Sequence, residues 1–167
     1  MNATLLRDAM SRFATGVTVV TTLGPDGEPQ GATANAFSSV SLDPPLILVC
    51  LAHTSHTLAA LRTHGSFAVN VLGSDHEELA RSFARSGDEA AWGDPEHLPG
   101  PTGSPLLAGV HAAIDCRVFA VYPGGDHDIV VGHVQHIRVE DEPGDALLWF
   151  RSTFGTVRDP RGALQRA

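Results

Sequence analysis

The chain has 167 residues, 43% of them hydrophobic, which suffices for one sizeable core but not for two ordinary domains. A formal net charge of −8 with scattered arginines argues against a nucleic-acid backbone or an anionic membrane as partner, and the absence of any lysine removes P-loop and Schiff-base chemistry. No apolar run is long enough to span a bilayer and the N-terminus lacks the basic-then-apolar order of a signal peptide, so a single cytoplasmic domain over 1–167 is expected. Cys50 and Cys116 fit that setting, since each lies in an apolar strand-like run where a free thiol behaves as a small hydrophobe.

Asn2 or Thr4 is placed to cap a short amphipathic helix with Leu5, Leu6, Ala9, Met10 and Phe13 at helical spacing, ending before Gly16. Val17 to Leu23 is β-branched or apolar, and Pro25-Asp26-Gly27 turns it into a second extended stretch near Gly31-Ala32-Thr33. Phe37 to Leu42 is extended, Asp43-Pro44-Pro45 forces a turn, and Leu46 to Leu51 is an apolar run suited to a central strand. Leu58, Leu61 and Arg62 suggest a short helix, Phe67 to Leu72 a strand, and Asp75 to Phe83 a second helix opened by an acid.

From Gly87 to Gly109 the Pro, Gly and acidic content marks a long loop. Strands over Ala112 to Val121, Asp128 to Val139 and Ala146 to Phe150 follow, the first two joined at Gly124-Gly125. Six or more strands with few helices imply a mainly β chain, a β-barrel with a few peripheral helices.

Motifs that would direct the reading elsewhere are missing: there is no Gly-x-Gly-x-x-Gly after a strand and no Gly-x-Ser-x-Gly elbow. Nine histidines invite a metal site, yet His133 and His136 fall on opposite faces of an extended segment, and His53 and His56 stand in no zinc motif. The densest polar stretch is Thr33 to Ser41, which is either an edge strand facing water or a surface that meets a polar ligand. Thr54-Ser55-His56-Thr57 opens a helix, where hydroxyls and unpaired N–H groups serve as a plain cap or receive an anion such as a phosphate.

Phe13-Ala14-Thr15-Gly16-Val17-Thr18-Val19-Val20-Thr21-Thr22, Gly31 to Pro45, Phe67-Ala68-Val69-Asn70-Val71-Leu72 and Gly124-Gly125-Asp126-His127-Asp128-Ile129 occur in that order over roughly residues 8 to 155. Together they resemble the flavin reductase family that serves two-component monooxygenases. The resemblance implies a homodimeric split β-barrel of the FMN-binding type, holding FMN or FAD and using NADH or NADPH as hydride donor. It also implies a separate reduced-flavin-dependent monooxygenase as the consumer of the product.

By the same resemblance Asn35, Ala36, Phe37, Ser38, Ser39 and Ser41 lie along the flavin ring and ribityl chain, and Ser55, His56 and Thr57 hold its phosphate. Phe83, Ala84 and Arg85 match a segment that closes over the flavin, with Arg85 a phosphate partner or else a surface arginine. His127 resembles the histidine on the nicotinamide side, its plain alternative being a turn residue. Arg151 and Phe154 stand where the family carries an aromatic-Arg-Gly-x-aromatic pattern near the dinucleotide, with Ser152 here in place of the glycine. Two other readings share the fold: an oxidase that keeps its flavin, which a lysine-free chain fits poorly, and a non-catalytic flavin- or haem-binding module.

Overall fold

The computed structural model describes residues 2–84, 92, 95–141 and 144–159. Helix α1 (Ala3–Ser11) is capped by the Asn2 side chain, which accepts a hydrogen bond from the Thr4 N–H at 2.9 Å. After the two-residue strand β1 (Thr15–Gly16) come β2 (Thr18–Leu23), β3 (Pro29–Ala34), β4 (Phe37–Leu42) and β5 (Pro45–Ala52). Helix α2 (His56–His64) ends on Gly65 and leads into β6 (Ser66–Val71). The segment expected as one helix from Asp75 is a 3₁₀ turn, Ser74–His76, followed by α3 (Glu77–Phe83).

The stretch read as a long loop carries a small hairpin of β7 (His97–Pro99) and β8 (Pro105–Leu107) within its described part. Then β9 (Ala112–Gly124) and β10 (His127–Val139), each thirteen residues long, form the longest hairpin, and β11 (Ala146–Phe150) and β12 (Thr153–Val157) close the described chain. The two-residue connection Gly125-Asp126 has Gly125 at φ 83°, the positive value that the first turn position of a type II′ hairpin demands. Among the described residues no helix is long and apolar enough to cross a membrane.

Seven strands form one antiparallel sheet in the order β3-β2-β6-β9-β10-β5-β4. Its two edges, β3 and β4, are joined by Asn35 and Ala36 alone. In a flat sheet, spacings of about 4.8 Å would put these edges almost 30 Å apart, three times what two residues can bridge. The sheet must therefore curl until its edges meet, and since no ladder pairs β3 with β4 the result is a barrel split along that seam.

Alternation along β2 and β6 feeds two cores. Val20, Phe67 and Val69 pack with Val49, Leu58, Leu61, Cys116 and Val130, so α2 lays its apolar side against one face of the sheet. Val19 and Ala68 point the other way, to Leu72, Ala80, Phe83, Leu106, Leu107 and Leu147, where α3, β8 and β11 cover the opposite face. Burial on both faces explains why β6 has no exposed position from Ser66 to Asn70. Gly132 lies at a bulge in β10 where a Cβ would come within 2.6 Å of the Phe67 ring, so close packing there leaves room for no side chain.

Candidate active site

The seam connection holds the first of the polar residues singled out above. Asn35 is exposed and donates from Nδ2 to Thr15 Oγ1 at 3.2 Å, while its Oδ1 has no protein partner among the described residues. Along β4, Phe37 is half-buried opposite Val49, and Ser38 and Ser39 are exposed opposite Leu48 and Ile47. Ser38 Oγ donates to the Ser39 carbonyl at 3.0 Å, and Ser41 Oγ accepts from the Asp43 N–H at 3.2 Å. Ser41 thus serves the turn before β5, and a bulge between Ser39 and Ser41 shifts the register there.

The second group gathers at the C-terminal end of β5. Ser55 is the N-cap of α2, its Oγ accepting from the Leu58 N–H at a loose 3.4 Å. His56 is exposed and Thr57 is buried. The N–H groups of His56 and Thr57 precede the first possible intrahelical bond, so they stand as donors at the positive end of the helix. His127 is not in the turn itself but is the first residue of β10, opposite Ala52 of β5 and Gly124 of β9. Its Nδ1 lies 2.7 Å from Asp126 Oδ1, and that hydrogen bond holds the Asp126 carboxyl below its usual range. The hairpin tip and the start of α2 therefore share one rim, tied by the His53 N–H donating to the Asp126 carbonyl at 3.0 Å.

Three further residues meet at this rim, and nothing in the sequence joins them: His53, Arg62 and Asp128. The Asp128 carboxylate, 3% exposed, meets His53 Nε2 at 2.9 Å through one oxygen and the Arg62 guanidinium through the other. The bond from His53, followed by the Arg62 charge, keeps the Asp128 pKa below the ordinary aspartate range against the opposing cost of burial. These residues are 66 and 75 positions apart in the chain, and only the pairing of β5 with β10 brings them together.

The third group is divided. Phe83 is not on the rim but in the core, edge-on to Trp92 with ring centroids 5.5 Å apart and packed over Gly31. Ala84 is the exposed C-cap of α3, and Arg85 lies outside the described residues. Arg151 and Ser152 make the two-residue turn between β11 and β12 with φ values of 50° and 60°. Such a turn favours glycine, which gives a physical reason for a glycine at position 152 in the pattern this chain departs from. The turn is pinned to α1 by the Arg151 N–H donating to the Ser11 carbonyl at 2.7 Å. Phe154 stacks edge-on to Trp149 at 4.8 Å and lies under the Arg81 guanidinium at 4.7 Å. Trp149 pairs with Thr15, the partner of Asn35, so this cluster connects to the seam through β1.

The donor set suits a ring with a phosphorylated tail. An exposed amide precedes β4, exposed hydroxyls of Ser38 and Ser39 lie along it, and free N–H donors sit at the start of α2.

A model of the flavin reductase like domain matches residues 10–158. The chain is 42% identical over 164 residues to the actinorhodin polyketide dimerase of Streptomyces coelicolor, covering 98% of this chain and 91% of that one. It is also 42% identical over 135 residues to the reductase component of a flavin-dependent trigonelline monooxygenase of Acinetobacter baylyi, covering 78% of this chain but only 42% of that longer protein. The NADH:FAD oxidoreductase SgcE6 of Streptomyces globisporus, solved in complex with NAD and FAD fragments, superposes with a TM-score of 0.86 at 36% identity, covering 95% of this chain and 94% of that one. With the split barrel, the polar seam and nearly the whole chain matched, the protein belongs to the flavin reductase like domain family.

Proposed function

We propose that the protein is an NADH-dependent flavin reductase that supplies reduced flavin to a separate monooxygenase. The observation that carries this reading is the family match across residues 10–158, joined to a rim where an exposed seam, a helix N-terminus and His127 lie within one end of the barrel. Bound flavin would supply the redox chemistry, taking hydride at N5 from the nicotinamide C4. The work left to the chain is binding, alignment and the exclusion of water.

In this reading Asn35, Ala36, Phe37, Ser38, Ser39 and Ser41 border the ring and ribityl chain, and Ser55, His56 and Thr57 receive the phosphate. His127 orients the dinucleotide without moving a proton, and Arg151 and Phe154 border the same substrate. Phe83 and Ala84 support the site from α3, Phe83 through the core. FMN and FAD both fit, because the phosphate nearest the ribityl chain is common to the two. Anaerobic stopped-flow mixing with NADH tests the reading: flavin absorbance bleaches in a single phase saturable in NADH, and a flavin that stays oxidised overturns it.

A homodimer belongs to the same proposal. Phe119 and Tyr122 on β9 and Ile137 and Val139 on β10 are exposed, as are Leu5, Leu6 and Met10 on α1, and a second copy would bury them. Light scattering at micromolar concentration returns twice the chain mass if this holds and the monomer mass if it fails. Cytoplasmic residence completes the reading, supported by two unpaired thiols at Cys50 and Cys116.

A further inference from the structure

Asp128 is the second residue of β10, paired with Leu51 on one side and Pro123 on the other, and its carboxylate is withdrawn from solvent. It reaches two partners that bracket a single segment. His53 lies on the connection that enters α2, and Arg62 lies in the last turn of the same helix. One carboxylate therefore grips both ends of the segment 53–62, and the Asp126 carbonyl holds the His53 N–H as a third tie. Between the gripped ends lie Ser55, His56 and Thr57.

Asp128 is buried but its partners are about half exposed, His53 at 47% and Arg62 at 53%, and ion pairs with solvent-exposed partners add little to stability alone. What it does supply is direction, since charge-assisted hydrogen bonds are short and angularly demanding. The core side of α2 is already secured by Leu58 and Leu61. Apolar contacts are non-directional, whereas two hydrogen bonds to one carboxylate add a directional constraint at both ends of the segment.

We infer that Asp128 is a positioning residue which, through His53 and Arg62, aims the N-terminus of α2 at the phosphate of the bound flavin. The inference rests on the placement of that phosphate at Ser55, His56 and Thr57. Its consequence is selective: loosening the grip weakens recognition of the phosphate and leaves recognition of the ring untouched. General damage to the fold would weaken both.

FMN and riboflavin differ only by the phosphate, so their dissociation constants, read from quenching of flavin fluorescence, separate these outcomes. The parent protein binds FMN more tightly than riboflavin. Asp128→Ala lowers FMN affinity about tenfold and riboflavin affinity by less than about twofold, the size expected when charge-assisted bonds are lost. Asp128→Asn keeps an acceptor for one donor and falls between. His53→Ala removes a side chain that is 47% exposed, keeps the fold, and costs FMN about threefold, as the loss of one of the two grips implies. Equal losses for both flavins, or a parental FMN-to-riboflavin ratio in Asp128→Ala and His53→Ala, overturn the inference. A parent protein indifferent to the phosphate overturns the phosphate placement and the role of Asp128 with it, whereas bleaching by NADH in that same protein shows that the reductase reading survives.

Discussion

Asn70 and Asn35 are the same residue type set in two different economies of hydrogen bonding. Asn70 is fully buried on β6 and fully employed: its Nδ2 donates to the Val19 carbonyl at 3.1 Å and Thr21 Oγ1 at 3.0 Å, and its Oδ1 accepts from the Leu107 N–H at 2.9 Å. Nearby, buried Asp115 accepts from the Thr102 N–H at 2.8 Å and Thr102 Oγ1 at 2.5 Å, and Thr21 Oγ1 donates to the Pro105 carbonyl at 2.5 Å. Together these bonds stitch the segment around β7 and β8 to the sheet. Asn35, at the seam, has one long side-chain bond and faces solvent. Polar groups spent inside specify the fold, and polar groups left unspent at the rim are available to a ligand.

Substitution at each place should separate the two roles. The largest effect is expected for Asn70→Ala, which strands the Leu107 N–H inside the core and destabilises the protein by about 3 kcal/mol in urea titration. If instead stability holds and flavin affinity falls, the division is wrong.

Next comes His127→Ala, which should slow flavin reduction by NADH by up to about a hundredfold, the scale of a 1 Å misalignment, while flavin affinity changes less. A parental rate with an unaltered KM for the dinucleotide would reduce His127 to a strand-end residue. The double variant Asn35→Ala with Ser55→Ala should weaken flavin binding by about 2 kcal/mol and keep the fold, lowering stability only by the roughly 1 kcal/mol that the lost Ser55 cap of α2 contributes. An unchanged dissociation constant removes both from the site.

The smallest effect is expected at the β11–β12 turn. Ser152→Gly relieves a non-glycine residue at φ 60° and should raise stability by about 1 kcal/mol, measured as a higher midpoint in the same urea titration. A lower midpoint would mean that the serine side chain stabilises the turn in some way its backbone angle does not reveal.

Much of this architecture was legible because its signals are local. Strand β4 runs from Phe37 to Leu42 as its composition and the following prolines imply, and Ser55 caps α2 where a hydroxyl precedes an apolar periodicity. The misses have physical causes too. The turn at Arg151 and Ser152 carries no glycine, so β12 was not announced. Strands β7 and β8 are three residues each, too short for an alternating pattern inside a Pro- and Gly-rich stretch. Helix α1 has its apolar residues at helical spacing yet buries none of them, since periodicity reports an apolar face and not what covers it. In the candidate site, hydroxyl clusters were readable as segments, whereas the grip of Asp128 on His53 and Arg62 exists only once β5 and β10 are paired. Phe83 shows the converse: a matching segment assigns it to the flavin site, and only the fold reveals that its ring is buried over Gly31, so any part it plays there runs through packing.

The strand order also says something about how the chain is made. The hairpin of β9 and β10 occupies the middle of the sheet, between β6 and β5, yet it is the last part of that sheet to leave the ribosome. Until residue 112 emerges, the nascent chain holds two separate fragments, β3-β2-β6 and β5-β4, each with an edge that awaits a partner not yet translated. Such edges are templates for mispairing, and the register that joins Val49 to Val130 is of high sequence separation and slow to form. A chain terminated before β9 would be an aggregation hazard and not a smaller barrel, and the final hairpin acts as the keystone of folding during synthesis.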